Sequence, residues 1–273
     1  MSPMRYRGLA IWLTLVAGIP AQTEKAREPG HLQPLAWAGG ESADYHRRVD
    51  ELLGFDDGDV TMLTRPSFSS ESLVRLEVEN WREVRDYRAE PLYAVHHAIT
   101  NANVWSAARG WWSDEATEPA SFRQHQAAFE RLMDEWDKSG RKPPMPQPVN
   151  GPSLLEHIRV AKRSVPFPAP LAQRIGVVWR RMLLGVRYPE RDRAGFDGTT
   201  YVFAAEYRVG KVWSPDEGTT PALMIEVGES LAAYALGKDD ERGAALRVVE
   251  ARVLALEQRL DEQAKAPPGD KGK

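Results

Sequence analysis

The sequence predicts an α+β fold: a small antiparallel sheet covered on one face by amphipathic helices, with a long C-terminal helix. Three observations carry this expectation. Short runs alternate apolar and polar residues, the period of two that a half-buried strand requires. Longer runs repeat apolar residues at helical spacing. The two kinds follow one another in irregular order, without the repeated strand–helix–strand units of a parallel sheet.

The first helix starts near Ser42, a capping residue, and places Tyr45, Val49, Leu52 and Leu53 on one face before Gly54 ends it. Phe55 to Asp59 (FDDGD) has the composition of a turn. Val60–Thr64 and Leu73–Asn80 read as strands; in the second, Val74, Leu76 and Val78 alternate with Arg75, Glu77 and Glu79. The residues between them, with Pro66 and four serines, read as a loop or edge. Pro91–Ala98 is a third strand candidate, with a helix as the alternative. Residues 118–137 form a helix, entered through Pro119, with Phe122, Phe129, Leu132, Met133 and Trp136 on one stripe and Gly140 as its stop.

Residues 141–152 (RKPPMPQPVNGP) hold five prolines and form a linker or a rigid extended loop. They divide the chain into a first α+β segment, 41–140, and a second, 153–237. Ser153 caps a short helix (SLLEHIRVAKR), after which Pro166, Pro168 and Pro170 interrupt the chain. Leu171, Ile175, Val178, Trp179, Met182, Leu183 and Val186 make a strong amphipathic helix. Thr200–Tyr207 alternates with Tyr201, Phe203, Ala205 and Tyr207 on one face, and Gly210 turns it into a return strand ending at Trp213. Thr220-Pro221 reads as a helix start, cap then proline, and Gly237 as its end. In the C-terminal helix, within 238–264, Leu246, Val249, Val253, Leu256 and Leu260 are spaced 3, 4, 3, 4. That is a heptad seam little more than two repeats long, which packs on its own domain or pairs two copies as a homodimer.

Outside these elements the chain reads as leader, tether and tail. Residues 1–21 have the order of a secretory signal peptide: Arg5 and Arg7, an uncharged run from Gly8 to Ile19, then Pro20-Ala21 for cleavage. The run is too short to span a bilayer, and no later segment looks membrane-spanning. Residues 22–40 read as a flexible tether and 265–273 as a disordered tail. Cleavage after Ala21 leaves 252 residues, enough for a self-sufficient core without the cysteines this chain lacks. It also leaves 34 bases against 39 acids, a net charge of −5. A mildly acidic surface argues against nucleic acid, which calls for a basic stripe. These features favour a bacterial exported protein, periplasmic or secreted.

Chemical motifs are few. No G-x-G-x-x-G, P-loop, H-E-x-x-H, G-x-S-x-G or EF-hand loop occurs, and no cofactor is implied. Ser139 and Lys142 fit S-x-x-K, but Gly140 and Pro143-Pro144 make the two side chains diverge. His96 and His97 are adjacent, so on a strand they point to opposite faces and do not share a metal. No metal site is expected there or from Asp56, Asp57 and Asp59, which read as a solvated turn. Ser67, Ser69 or Ser70 with a histidine and an acid such as Asp197 would make a triad, though Pro66 and the serines equally describe a polar loop.

Aromatic residues supply the candidate binding site. Trp105, Trp111 and Trp112 crowd a polar stretch with Arg109, and the Phe196–Pro215 segment brings Asp197, Tyr201 and Trp213, with Thr199, Thr200, Glu206 and Ser214 as polar groups at its mouth. Aromatic walls with a few polar groups are the usual form of a ligand site. The leading expectation is a non-catalytic binding or interaction protein, an inhibitor or an envelope-assembly factor, with a protein or saccharide partner. The alternative is a hydrolase acting on a cell-envelope polymer or peptide.

Overall fold

A computed structural model describes residues 31–35, 41–86, 89–108, 118–139, 154–188 and 198–265. Its elements are α1 (Glu41–Leu53), β1 (Val60–Pro66), β2 (Ser72–Val78), α2 (Trp81–Arg85), β3 (Tyr93–Thr100), α3 (Val104–Ala108) and α4 (Ala120–Ser139). They continue with β4 (Val160–Phe167), α5 (Ala169–Leu184), β5 (Thr199–Ala205), β6 (Arg208–Trp213), α6 (Thr220–Leu236) and α7 (Arg242–Lys265).

All six strands pair antiparallel in the order β4-β3-β2-β1-β5-β6. Strands from both sides of the proline run therefore share one sheet. Its register sets two neighbouring rows, one on each face. On one face Arg163, His97, Val74, Met62, Phe203 and Gly210 lie side by side. On the other lie Lys162, Ala98, Leu73, Leu63, Val202 and Lys211.

The first face carries the larger core. The α5 stripe foreseen from its spacing (Leu171, Ile175, Val178, Trp179, Met182 and Leu183) is buried against it. Trp179 sets its ring edge-on to Phe203 at 5.9 Å and donates its indole N–H to the Thr61 carbonyl at 3.2 Å. Helix α6 lies between the sheet and α7, which explains why it is apolar on nearly every side. Gly228 lets it approach β1, since a Cβ there would stand 2.3 Å from the Met62 sulfur. The heptad seam of α7 is filled from within the chain: Val249, Val253, Leu256 and Leu260 belong to this core, against α6 and α5.

The second face is also covered, where the sequence led us to expect helices on one face alone. Val49 and Leu53 of α1, Val104 and Ala107 of α3, Phe122 of α4, and Leu154 and Ile158 pack on Leu63, Leu73, Ala98 and Val202. The cover is incomplete. Arg75 and Glu77 of β2 stay half-exposed and pair with each other at 2.8 Å, which is the wet alternation read from that strand.

Other differences have local causes. Residues 160–163 belong to strand β4, not to a helix: Ser153 lies outside the described residues, and the helical turn at Leu154 and Leu155 does not continue. Being an edge strand, β4 tolerates Pro166 and wears Lys162 outward, features that discourage further pairing. The hairpin turns at Glu206 and Tyr207, both at positive φ, not at Gly210. Gly210 sits mid-strand because Leu32 and Val186 press on it; a Cβ would lie 3.0 Å from Leu32 Cβ and 2.8 Å from a Val186 methyl. Leu32 falls inside the stretch read as a tether, yet is fully buried, and Gln33 exchanges two backbone hydrogen bonds of 2.8 Å with Lys211. The α6 cap is Thr219, one residue earlier than read. Residues 1–21, 141–152 and 266–273 lie outside the described residues.

Two outcomes test this packing. Gly210→Ala is expected to cost about 1–3 kcal/mol, because the methyl overpacks against Leu32 and Val186; denaturant unfolding measures it. Leu256→Ala is expected to cost about 2–5 kcal/mol, while the exposed Leu254→Ala stays within about 0.5 kcal/mol. Equal costs at 254 and 256 would contradict the burial of the seam inside one chain.

Candidate functional site

A cleft of about 250 Å³ opens where the base of the β5–β6 hairpin meets the first turns of α6, lined by Thr199, Tyr201, Ser214, Pro215, Ala222, Ile225 and Glu226. The ladder builds one wall: Thr199 N–H donates to the Ser214 hydroxyl at 2.9 Å and Ser214 N–H to the Thr199 carbonyl at 2.8 Å. Ser214 itself is held at φ 38°, an uncommon conformation for a residue with a side chain. Thr219 caps α6 and aims Ala222, Ile225 and Glu226 at the hairpin. Glu226 pairs with Arg252 of α7.

Charge shapes this cleft. Burial pushes the Tyr201 phenol upward, and the nearby Glu229 charge pushes the same way. A hydrogen bond with Thr199 opposes both, so the phenol already has a partner on the cleft wall. Glu229 is itself raised by burial and by the Glu226 charge, with Arg252 opposing. The result is a half-open surface with hydroxyl groups and a carboxylate above a floor of Pro215, Ala222 and Ile225.

A second polar constellation lies beneath α1 on the opposite face. Glu71 is fully buried and accepts from Val104 N–H at 3.0 and 2.9 Å, from Asn103 Nδ2 at 3.2 Å and from the Tyr45 hydroxyl at 3.1 Å, with the Thr100 hydroxyl at 3.1 Å. Asn103 also donates to the carbonyls of Pro66 and Ser69. The network thus fastens the 67–71 loop to the first turn of α3. Beside it Arg65, buried to 4 % side-chain exposure, pairs with Asp50 of α1. Burial pushes the Glu71 carboxyl up while its hydrogen bonds pull it down. These groups are fully occupied inside the fold, whereas Thr199, Tyr201, Ser214 and Glu226 are half-exposed at the cleft, with Ser214 also accepting from Thr199 N–H and Glu226 paired with Arg252.

The expected site residues are distributed as follows. Tyr201 lines the cleft, as do Thr199 and Ser214. Trp213 sits at the same end of the sheet on the other face, in a row with Thr200 and Arg65, so it and Tyr201 do not share a pocket. Glu206 is at the far end of the hairpin. Trp105 belongs to α3 and packs edge-on against Tyr45, ring centres 5.2 Å apart. Arg109, Trp111, Trp112 and Asp197 lie outside the described residues. The α6 contribution, above all Glu226, was not anticipated; its only signal was its place one turn after a capped helix start.

The serine–histidine combination does not assemble among the described residues. His97 faces α5 and α6, and His96 faces the other side, 3.5 Å from Glu77. Thr100 marks the loop end of β3, so His96 stands roughly 13 Å along the strand from the serines. Asp56 accepts from Gly58 N–H at 2.7 Å and so closes its own turn. Burial, Glu77 and Asp56 push the Asp59 carboxyl up to about 6. Among the described residues, no group of three His, Asp or Glu side chains is placed to hold a metal ion, and no helix is long and apolar enough to cross a membrane.

Comparison with protein-family models, with curated proteins and with solved structures returns no match. The chemistry of these two surfaces is therefore the basis for a functional reading.

The network has a measurable pH signature. His46 of α1 is held down at about 4 by burial first, then by the charges of Arg65 and Lys211. Its folded value lies below the ordinary imidazole value of 6.5, so the unfolded chain binds the extra proton between the two. The stability held by neutral His46 is present above pH 6.5 and is lost as pH falls towards 4. His46→Gln is expected to flatten the acid limb of a stability-versus-pH curve over that window. An unchanged limb would place His46 in solvent.

Proposed function

We propose that the chain is an exported, periplasmic or secreted, non-catalytic binding protein, and that its ligand seat is the cleft between the β5–β6 hairpin and α6. The observation that carries this reading is the contrast between the two polar surfaces. Around Glu71 the hydrogen-bonding groups converge on one another inside the fold. In the cleft, Thr199, Tyr201, Ser214 and Glu226 stay half-exposed above an apolar floor. A few oriented polar groups over apolar surface recognise a ligand by shape and hydrogen bonding. A protonated phenol, a carboxylate and two hydroxyls both donate and accept, which suits a polar polymer such as a saccharide or an extended peptide. Export rests on the leader: two arginines, an apolar run and a cleavable end.

The cleft is tested by affinity capture from the exported fraction of the native host. Tyr201→Ala and Ile225→Lys in the cleft are compared with wild type and with Tyr188→Ala, an exposed position elsewhere. A ligand retained by wild type and Tyr188→Ala and lost by both cleft variants, at unchanged melting temperature, is the expected result. Equal retention by all four proteins would remove the cleft as the seat. Intact-mass measurement of native material should give a chain beginning near Gln22, and an uncleaved chain inside the cell would end the export reading.

A further inference from the structure

The cleft is one end of a longer groove. Helix α6 crosses the strands of the first face. Its Ala222 and Ile225 stand at the base of the β5–β6 hairpin, and Gly228 lies on Met62 of β1. Its far end reaches β4, where the Tyr234 hydroxyl donates to the Pro166 carbonyl at 2.8 Å and Arg163 donates to the Leu236 carbonyl at 2.7 Å. From Ala222 to Leu236 a helix rises about 21 Å. The four strand spacings from β5 to β4 span about 19 Å, so the two lengths match.

The register sorts the side chains of that face into rows. Under the helix lie Phe203, Met62, Val74 and His97, all buried. The next row towards the hairpin base is Tyr201, Thr64, Ser72, Ile99 and Ala161. None of these five is buried; the first three are half-buried and the last two exposed. Helix α6 thus covers one row and leaves its neighbour as the floor of a groove that runs from the cleft to the β4 edge. The wall is the flank of α6 that carries Ile225, Glu229, Ala232 and Leu236, spaced 4, 3, 4. Ile225 lines the cleft and the Glu229 charge acts on Tyr201, which puts this flank beside the floor.

The floor offers hydroxyls on three consecutive strands, β5, β1 and β2. Tyr201 shares a hydrogen bond with Thr199. The Thr64 and Ser72 hydroxyls make none among the described residues. Such groups recur at the strand spacing of about 4.8 Å. A peptide in the groove would repeat its same-side groups about every 6.6 Å and fall out of phase. Lying across the strands, it could not add main-chain bonds to the sheet either. An extended β-linked glycan advances by nearly one strand spacing per sugar and stays in phase. Charge narrows the class further. Glu226 is paired with Arg252, and Arg163 is engaged by the carbonyls of Leu236 and Gly237. Glu229 is left as the groove's charge, with Asp216 and Glu217 of the same sign following Pro215 at the cleft end. A chain with an acid on every sugar is repelled.

We propose that cleft and groove form one binding site for an uncharged, β-linked polysaccharide, laid across β5, β1, β2, β3 and β4 with one sugar per strand. It rests on the cleft being the ligand seat and adds the polymer's class and path.

Calorimetric titration of the purified protein with β-1,4-linked oligomers of glucose, N-acetylglucosamine, mannose and xylose, from dimers upward, tests both. Affinity for at least one series is expected to rise about two- to tenfold per added sugar, as one further hydrogen bond gives. It should level off at about five sugars, one per strand. Ile99→Lys, at unchanged melting temperature, should leave the short oligomers alone and remove the gain from the last two sugars. Ser72→Ala, a smaller change, should weaken trimers and longer chains but not dimers, so the path is read even where Ile99→Lys unsettles the sheet. Tyr201→Ala should weaken every length. A flat length dependence, or one indifferent to both Ser72→Ala and Ile99→Lys, overturns the groove, while loss of binding in Tyr201→Ala alone still upholds the cleft. Binding of no series, or tighter binding of an oligogalacturonate than of any uncharged series, overturns the polysaccharide. An extended-peptide library retained by wild type and lost by Tyr201→Ala would then leave the cleft standing without it.

Discussion

Everything in this molecule depends on β1 being apolar on both faces. It is the strand where the two halves of the chain meet: β2 follows it closely in sequence, while β5 begins more than a hundred residues later at Thr199. Met62 meets Val74, Phe203 and α6 on one side, and Leu63 meets Leu73 and Val202 on the other. A ladder closed over so long a loop carries a chain-entropy cost that local hydrogen bonds do not offset. Burial on both sides does, because each β1 side chain removes apolar surface from water with partners from both halves. Two helical layers, rather than one, follow from that double burial.

Sequence patterns reveal an element when its environment is asymmetric. Strand β2 was legible because one face is covered and Arg75 and Glu77 remain wet on the other. Helix α5 was legible for the same reason, with one stripe against the sheet. The pattern weakens when burial is two-sided or nearly absent. Edge strand β4 exposes Ala161 through Ser164, so it shows no alternation, and its prolines imitate a break. The α7 seam was visible as spacing, but spacing does not say whether the complementary face lies on another copy or on α6. Glycine misled in the hairpin because it has two uses: permitting positive φ and permitting close approach. Gly210 serves the second, while two residues with side chains carry the positive φ.

The polar groups follow a different logic, and less of it was readable. Thr199, Tyr201 and Ser214 drew notice because they cluster in sequence around the hairpin. Their cleft is completed by α6, and only the fold brings Glu226 to them. The Glu71 network joins Tyr45, Thr100, Asn103 and Val104 from three other elements, and no spacing announces it. Its parts look like ordinary loop and helix residues until the 67–71 loop is folded back. A carboxylate surrounded by donors costs desolvation but fixes that loop in one arrangement. The same donors keep Glu71 from acting on anything else.

One rigid element joins the cleft to a strained turn. The β5–β6 hairpin presents the cleft at its base, through Thr199, Tyr201 and Ser214, and the strained turn at its tip. Six residues of strand separate them, roughly 20 Å, too far for one small ligand to touch both. The hairpin has little freedom to flex between them. Gln33 pairs with its outer strand, β1 with its inner strand, and Leu32 wedges against Gly210. The tip is braced in turn by the 56–58 turn and by α5 through Arg180. The fold therefore holds the base and the tip of the hairpin apart at a fixed distance. Positive φ at Glu206 and Tyr207 is sustained by that bracing, not by the turn's own sequence.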